Sequence, residues 1–335
     1  MRKPQDQQLI GESPVFLEVL EHVSRVAPLN RPVLVIGERG TGKELIAARI
    51  HYLSGRWDYP LVKMNCAALA ESLLETELFG HEAGSFTGAA KRRLGRFELA
   101  NQGSLFLDEL SSTSSGVQEK ILRVIEYGEF ERVGGSETIR TNVRIIGATN
   151  EDLPGLAEQG KFRADLLDRL AFDVITLPPL RERPGDIMTL ANHFAVKMAG
   201  ELGKDVFNGF SENARRELSA YNWPGNVREQ KNVVERAVYT CHDESKAIVE
   251  IVFDPFESPW RPVTRSTRDK AEQASKLPDE PYDFKREIQE DEKRRIKYAM
   301  ELCRFNQKKT AEFLGMTYHQ LRGYLRKYEL TEGED

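Results

Sequence analysis

Through the first half of the chain, short apolar runs alternate with stretches whose apolar positions recur every three to four residues. Val33-Leu34-Val35-Ile36, Leu61 to Met64, Ser104 to Leu107, Val143 to Gly147 and Phe172 to Thr176 read as buried strands. Glu44 to Leu53 and Val117 to Tyr127 lie between them with the period of amphipathic helices. Strands alternating with helices predict an α/β fold in which a parallel sheet is covered on both faces. Leu177-Pro178-Pro179-Leu180 ends that pattern. From Asp186 to Tyr239 the period is helical, broken at Trp223-Pro224-Gly225, which predicts a small all-helical subdomain. Phe256 to Tyr282 collects Pro259, Pro262, Pro278 and Pro281 among polar residues and reads as a linker. Helical periodicity resumes at Phe284, and no internal repeat is visible. The expected division is an α/β subdomain over 1–180, a helical lid over 181–255, a linker over 256–283 and a second helical module over 284–335.

Charge changes this picture at one end. The 335-residue chain carries a net charge of −5, ordinary for a soluble protein, but Lys285 to Lys327 holds twelve Lys/Arg against six Asp/Glu. A basic tail on an acidic body predicts that the tail alone meets nucleic acid. Cys66, Cys241 and Cys303 are odd in number, far apart and without a C-x-x-C pattern, which argues against a disulfide framework or a zinc site and fits a reducing cytoplasm. No apolar run approaches the roughly 18 residues of a membrane span, so a cytoplasmic protein with no direct membrane insertion is expected.

The chemistry begins where the first strand ends. Gly37-Glu38-Arg39-Gly40-Thr41-Gly42-Lys43 sets a glycine-rich turn between a strand and a helix, where backbone N–H groups can surround phosphate oxygens and Lys43 can neutralise β/γ charge. Glu44 stands where the general motif has Ser or Thr for Mg²⁺, so the metal must lean on another carboxylate and on water. Leu105-Phe106-Leu107-Asp108-Glu109 supplies it at a strand end: Asp108 to orient Mg²⁺ and Glu109 to activate the attacking water. Between these motifs, Gly84-Ser85-Phe86-Thr87-Gly88-Ala89 has too little apolar surface to bury itself, and reads as a tip presented to a partner.

These motifs, with Glu77-Leu-Phe-Gly-His-Glu82, Phe162-Arg-Ala-Asp-Leu166 and Trp223-Pro-Gly-Asn-Val-Arg228, resemble those of the AAA+ ATPases that activate sigma-54 RNA polymerase, the bacterial enhancer-binding family. The likeness spans residues 9 to 330 and is greatest to the phage shock type, in which the ATPase begins almost at Met1 with no receiver domain before it. It implies ATP and Mg²⁺ as cofactors, and Glu44 is normal within the family. Asn65 resembles the asparagine that restrains the catalytic glutamate until the γ-phosphate is sensed. Thr149-Asn150 resembles the sensor pair. Arg163 and Arg169, six apart on one expected helix, resemble arginines supplied to the neighbouring subunit's γ-phosphate, and Arg228 resembles the lid arginine. Catalysis shared between subunits implies a ring, in this family a homo-hexamer. The phage shock likeness further implies envelope stress as the signal and phage shock protein A as a negative regulator acting in trans.

In the family, the loop from Gly84 to Ala89 reads Gly-Ala-Phe-Thr-Gly-Ala and contacts sigma-54; here Ser85 replaces the first Ala. Phe86 is the expected apolar anchor and Thr87 the polar contact. In the tail, Gln307 to Leu314, Gly315-Met316-Thr317 and Tyr318 to Lys327 have helix–turn–helix spacing, resembling the Fis-type module of the family. Thr317 would cap the second helix. His319, Gln320, Arg322 and Gly323 would face base edges, with Tyr318 beside them, while Lys308, Lys309, Arg326 and Lys327 suit phosphates. Double-stranded DNA at upstream enhancer sites is the expected target, bound by a dimer at an inverted repeat. Trp57, in a polar loop, is either a docking point for a regulator or a residue packed on its own helix.

Two other readings stay open at this point. One is another AAA+ machine with a DNA-binding tail, such as a replication initiator, which has no use for the Gly84 to Ala89 loop. The other is a non-enzymatic DNA-binding regulator with a decayed ATPase fold, against which stand the intact Lys43, Asp108, Glu109, Arg163 and Arg169.

Overall fold

A computed structural model describes residues 9–86, 89, 91–204, 206–241, 246–258, 260–261, 284–303 and 306–328. The chain forms two compact units, Met1–Pro255 and Phe256–Asp335. The predicted linker over 256–283 lies mostly outside the described residues.

In the larger unit, helix α1 (Pro14–Val26) leads into β1 (Val33–Ile36), α2 (Lys43–Tyr52), β2 (Leu61–Asn65) and α3 (Glu71–Phe79). Short strands β3 (Gly80–His81) and β4 (Arg93–Leu94), helix α4 (Arg96–Leu99) and strand β5 (Ser104–Asp108) follow. Next come α5 (Ser115–Tyr127), the hairpin β6 (Glu129–Glu131) and β7 (Thr138–Arg140), β8 (Arg144–Thr149), α6 (Leu153–Glu158), α7 (Ala164–Leu170) and β9 (Val174–Thr176). The main sheet has the order β2-β5-β8-β1-β9 and is wholly parallel. Its central strands β5 and β8 are buried almost throughout, as strands covered on both faces must be, and so read as continuous apolar runs. Alternate residues serve opposite layers. Val33, Val35, Phe106 and Ile146 pack with Ile46 and Ile50 of α2, whereas Leu34, Leu105, Leu107 and Ile145 pack with Ile121 of α5 and Leu78 of α3.

The strand-to-helix order places every strand's C-terminal end on one rim. Ile36 lies opposite Thr149, Asn65 opposite Asp108, and Leu107 opposite Gly147. A crevice at that rim is where parallel sheets bind ligands.

The lid is built from α8 (Pro184–Glu201), α9 (Glu212–Ala220) and α10 (Asn226–Thr240) around the fully buried Trp223, whose indole N–H donates to Leu218 O at 3.0 Å. Trp223 and Asn226 have φ of 50° and 54°, so the backbone reverses sharply where the helical period breaks.

In the smaller unit, α11 (Phe284–Leu302), α12 (Gln307–Phe313) and α13 (Tyr318–Lys327) close on Ile296, Ala311, Leu321, Leu325 and Tyr328. Gly315, at φ 65°, makes the turn between α12 and α13. Thr317 caps α13 by accepting from Gln320 N. Among the described residues, no helix is long and apolar enough to cross a membrane.

Candidate active site

Residues 37–43 wrap the end of β1, with Gly40 and Gly42 at φ 80° and 101°, conformations open to glycine at little cost. Lys43 is 8% exposed and its Nζ donates to Gly37 O at 2.8 Å and Glu38 O at 3.3 Å. Burial lowers its pKa, against the pull of the Asp108 and Glu109 carboxylates. Thr41 Oγ donates to Glu38 O, closing the turn. Glu44 accepts from Lys63 at 2.9 Å, so it is engaged by β2.

The loop forms one wall of a cavity of about 500 Å³. Its polar lining includes Lys43, Arg39, Asp108, Glu109, Arg228 and Lys231, and its apolar lining Leu9, Ile10, Phe16, Leu190, Phe194 and Val227. A phosphate chain matches the first and a flat heterocyclic base the second. The carboxylates arrive on β5: Glu109, at φ 52°, leaves the strand direction, and its backbone N–H donates to Asp108 Oδ1. Behind them Cys66 is buried, and burial with the two carboxylates pushes its thiol up to about 12, which leaves it inert.

Asn65 ends β2 directly opposite Asp108, but its Oδ1 accepts from Ala67 N, and Glu109 faces Arg39 at 3.9 Å. Asn65 thus pairs in register with Asp108, the residue before Glu109, and makes no hydrogen bond to Glu109 itself. Thr149 stands beside the phosphate loop, its carbonyl accepting from Gly37 N, and the adjoining Asn150 has a buried Oδ1 without a hydrogen-bond partner. The carboxylate oxygens of Asp108 and Glu109 suit a hard cation such as Mg²⁺ held through water.

The lid meets the loop without a gap. A Cβ on Gly40 would lie 2.2 Å from Gly225 O, and Arg228 N donates to Gly40 O at 3.3 Å. Asn226, fully buried, donates from Nδ2 to Glu38 Oε2 and to Arg39 O, and accepts from Leu180 N. Asp186 of α8 accepts from Glu12 N, Ser13 N and Ser13 Oγ, tying the start of α1 to the lid.

Arg163 and Arg169 depart from the expectation of a shared helix. Arg163 is the residue before α7, paired with Asp165 at 2.7 Å, while Arg169, within α7, pairs with Glu126 at 2.8 Å. The cause is local: the Arg163 guanidinium folds over the first turn onto Asp165, and Arg163 N donates to Gln118 Oε1, which holds the residue outside the helix. Neither arginine lines the cavity that contains Lys43.

The Gly84 to Ala89 loop springs from β3. Gly84 has φ 83°, Ser85 Oγ donates to Glu82 O at 2.9 Å, and Ala89 is buried and accepts from Gly84 N. Phe86 is 43% exposed, its ring edge-on to His81 at 5.0 Å. Thr87 and Gly88 lie outside the described residues. Sequence reasoning missed the anchor of this loop. Arg132, 4% exposed at the side chain, is bidentate to Glu98 and donates to Glu82 at 2.8 Å; Val133 O accepts from Glu82 N. Gly134 touches Ser85 so closely that a Cβ there would meet Ser85 Cβ at 2.4 Å. The turn of the β6–β7 hairpin thus clamps the root of the loop.

On α13, His319, Arg322 and Gly323 are exposed as expected, as are Lys308, Lys309, Arg326 and Lys327, with Tyr318 half-buried. Gln320 is exposed too, but its Oε1 accepts from Thr317 N and Oγ in a capping box. Lys327 lies over the rings of Tyr324 and Tyr328.

Comparison with known proteins matches a sigma-54 interaction domain over residues 9–176, an AAA+ ATPase lid domain over 181–254 and a bacterial regulatory protein of the Fis family over 288–328. The Psp operon transcriptional activator of Escherichia coli (strain K12) is 54% identical over 96% of this chain and 98% of its own length. The Nif-specific regulatory protein of Azotobacter vinelandii is 44% identical over 94% of this chain and 58% of its own. Crystal structures of NtrX from Brucella abortus in complex with ADP and with ATP superpose with TM-scores of 0.69 and 0.68 at 32% identity, each over 96% of this chain and, respectively, 70% and 69% of NtrX.

Proposed function

The chain belongs to the AAA+ activators of sigma-54 RNA polymerase, and from that premise we propose how its residues divide the work of the ATPase and of the transcription activator that it is. It binds nucleotide, engages sigma-54 and DNA, and by its relative acts in the phage shock response.

ATP enters with its base between Leu9, Ile10 and Val227 and its phosphates on the backbone of residues 37–43. Lys43 and Arg228 neutralise phosphate charge. Asp108, with Glu109 beside it, would hold Mg²⁺, which supplies further charge neutralisation when bound. Glu109 takes the proton of the attacking water, and Asn65 and Asn150 report the state of the γ-phosphate from the neighbouring strand ends. Arg163 and Arg169 serve the next subunit's nucleotide. The observation that carries this step is their seat outside the cavity, in ion pairs that a γ-phosphate can replace. That sharing makes the working form a ring, read as a hexamer.

The state of the site reaches sigma-54 through the loop from Gly84 to Ala89, with Phe86 and Thr87 as its contacts. Work arises because the loop binds the sigma factor differently before and after hydrolysis. The C-terminal module holds the ring precursors on upstream DNA, raising their local concentration. A cytoplasmic location and control in trans by phage shock protein A complete the reading. The test is open-complex formation at a sigma-54 promoter with purified protein and ATP. Activation that needs hydrolysable ATP supports the scheme, and activation undiminished by Lys43→Ala overturns it.

A further inference from the structure

We propose that Glu38 is a positioning residue for ATP hydrolysis: it is the clasp by which the phosphate-binding loop grips both ends of the lid and sets Arg228 over the nucleotide. The proposal rests on the reading of Arg228 as a nucleotide contact given above. Glu38 sits in the glycine-rich loop, where a carboxylate is a poor phosphate ligand because like charges repel. Its side chain is turned instead toward the lid. Arg181 grips it with two hydrogen bonds, at 2.6 Å and 3.0 Å, and Asn226 Nδ2 donates to it at 3.0 Å. Arg181 belongs to the short turn Leu180–Glu182 by which the chain enters the lid, and Asn226 is the first residue of α10, the lid's last helix. One carboxylate therefore holds the entry and the final helix together.

Asn226 completes the joint, since the same amide accepts from Leu180 N and donates to Arg39 O. Two residues further along α10, Arg228 N donates to Gly40 O, and the arginine lines the cavity. The missing Cβ of Gly40 leaves no slack, because its place is taken by Gly225 O. Arg181, then Asn226, hold the Glu38 carboxyl down to about 2, so it stays anionic throughout the working pH range and the clasp does not open by protonation. With side chains 42% exposed on both partners, the pair is weak enough to adjust as the lid moves, and its role is orientation more than stability.

The test is a double-mutant cycle on the full-length protein, reading the Michaelis constant for ATP and kcat separately, with thermal midpoints as a fold control. Glu38→Ala raises the Michaelis constant about tenfold, the scale of one lost charge-assisted hydrogen-bond set. Glu38→Gln, which keeps an acceptor for Asn226, falls within about threefold of wild type and remains informative if the alanine variant folds poorly. In an Arg228→Ala background, Glu38→Ala adds less than about twofold, because a residue acting through another has nothing left to place. Independent, multiplying effects would overturn the clasp while leaving Arg228 as a nucleotide contact. Wild-type behaviour of Arg228→Ala alone would remove the contact itself and the proposal with it.

Discussion

Replacing Arg132 by Met removes a buried charge while keeping most of the side-chain volume, and it exposes how the root of the Gly84 to Ala89 loop is anchored. In the native chain the Arg132 guanidinium is bidentate to Glu98, donates to Glu82 and lies 3.8 Å from Glu137. Glu137 is 78% exposed and contributes little; Glu98, 13% exposed, is the partner that matters. Breaking a buried pair from one side costs about 3–5 kcal/mol, which partial exposure of Glu98 and Glu82 reduces to about 2–4 kcal/mol here. For a unit of this size that lowers the thermal midpoint by about 5–15 °C. The penalty must also depend on pH. Burial pushes Glu98 up, but hydrogen bonds from Arg132 and from Gly95 N outweigh it and hold the carboxyl below its usual 4.5. A depressed carboxyl contributes stability above its unfolded pKa and loses it only as pH falls through the folded value. Without Arg132, burial dominates and the folded pKa rises, so the variant sheds its penalty by protonating Glu98 as pH falls toward 5. Calorimetry at pH 7.5 and pH 5 should therefore show the gap between wild type and Arg132→Met narrowing on acidification. A gap below about 1 kcal/mol, or one equal at both pH values, would refute the reasoning.

Arg163→Ala should lower ATP turnover by about 10³-fold or more with nucleotide affinity within a few-fold, as for an arginine acting in trans on phosphoryl transfer; unchanged turnover means that the site is not shared. Thr87→Ala should keep ATPase activity but lose sigma-54 engagement in a binding assay, and full engagement would remove the loop's assigned role. Arg322→Ala should weaken binding to the specific operator by about 1–3 kcal/mol with little change on random DNA, whereas Lys308→Ala should weaken both and reduce the salt slope by about 1. Equal behaviour of the two variants in a salt titration would contradict the division into base and phosphate contacts.

What could be read from the chain, and what could not, separates along a physical line. The strands β1, β5 and β8 were legible because burial on both faces demands apolar side chains at consecutive positions, a local signature. Their loops were legible for the same reason: Gly40 and Gly42 are needed where φ is positive, and Asp108 and Glu109 must follow an apolar strand. The strands of β3–β4 and β6–β7 run to two or three residues each, too few for any period to emerge. Arg132, and the lid partners of Glu38, which was read only as part of the phosphate loop, escaped for a different reason. A charged residue reads as a solvated one unless its partner is known, and the partners lie 34 and 50 positions from Arg132, and 143 and 188 from Glu38. Arg163 shows the converse error, since an arginine two residues before an aspartate looks like part of a charged helix until the ion pair is seen to fold across its first turn. Apolar patterning encodes which layer a residue belongs to, whereas an ion pair encodes a meeting of distant segments. The joint at the lid and the clamp at the root of the Gly84 to Ala89 loop are both meetings of that second kind. A residue such as Glu38, charged and set inside a loop whose ligand is itself an anion, is therefore the one local sign of such a joint: its charge is out of place for the ligand and must answer to something else.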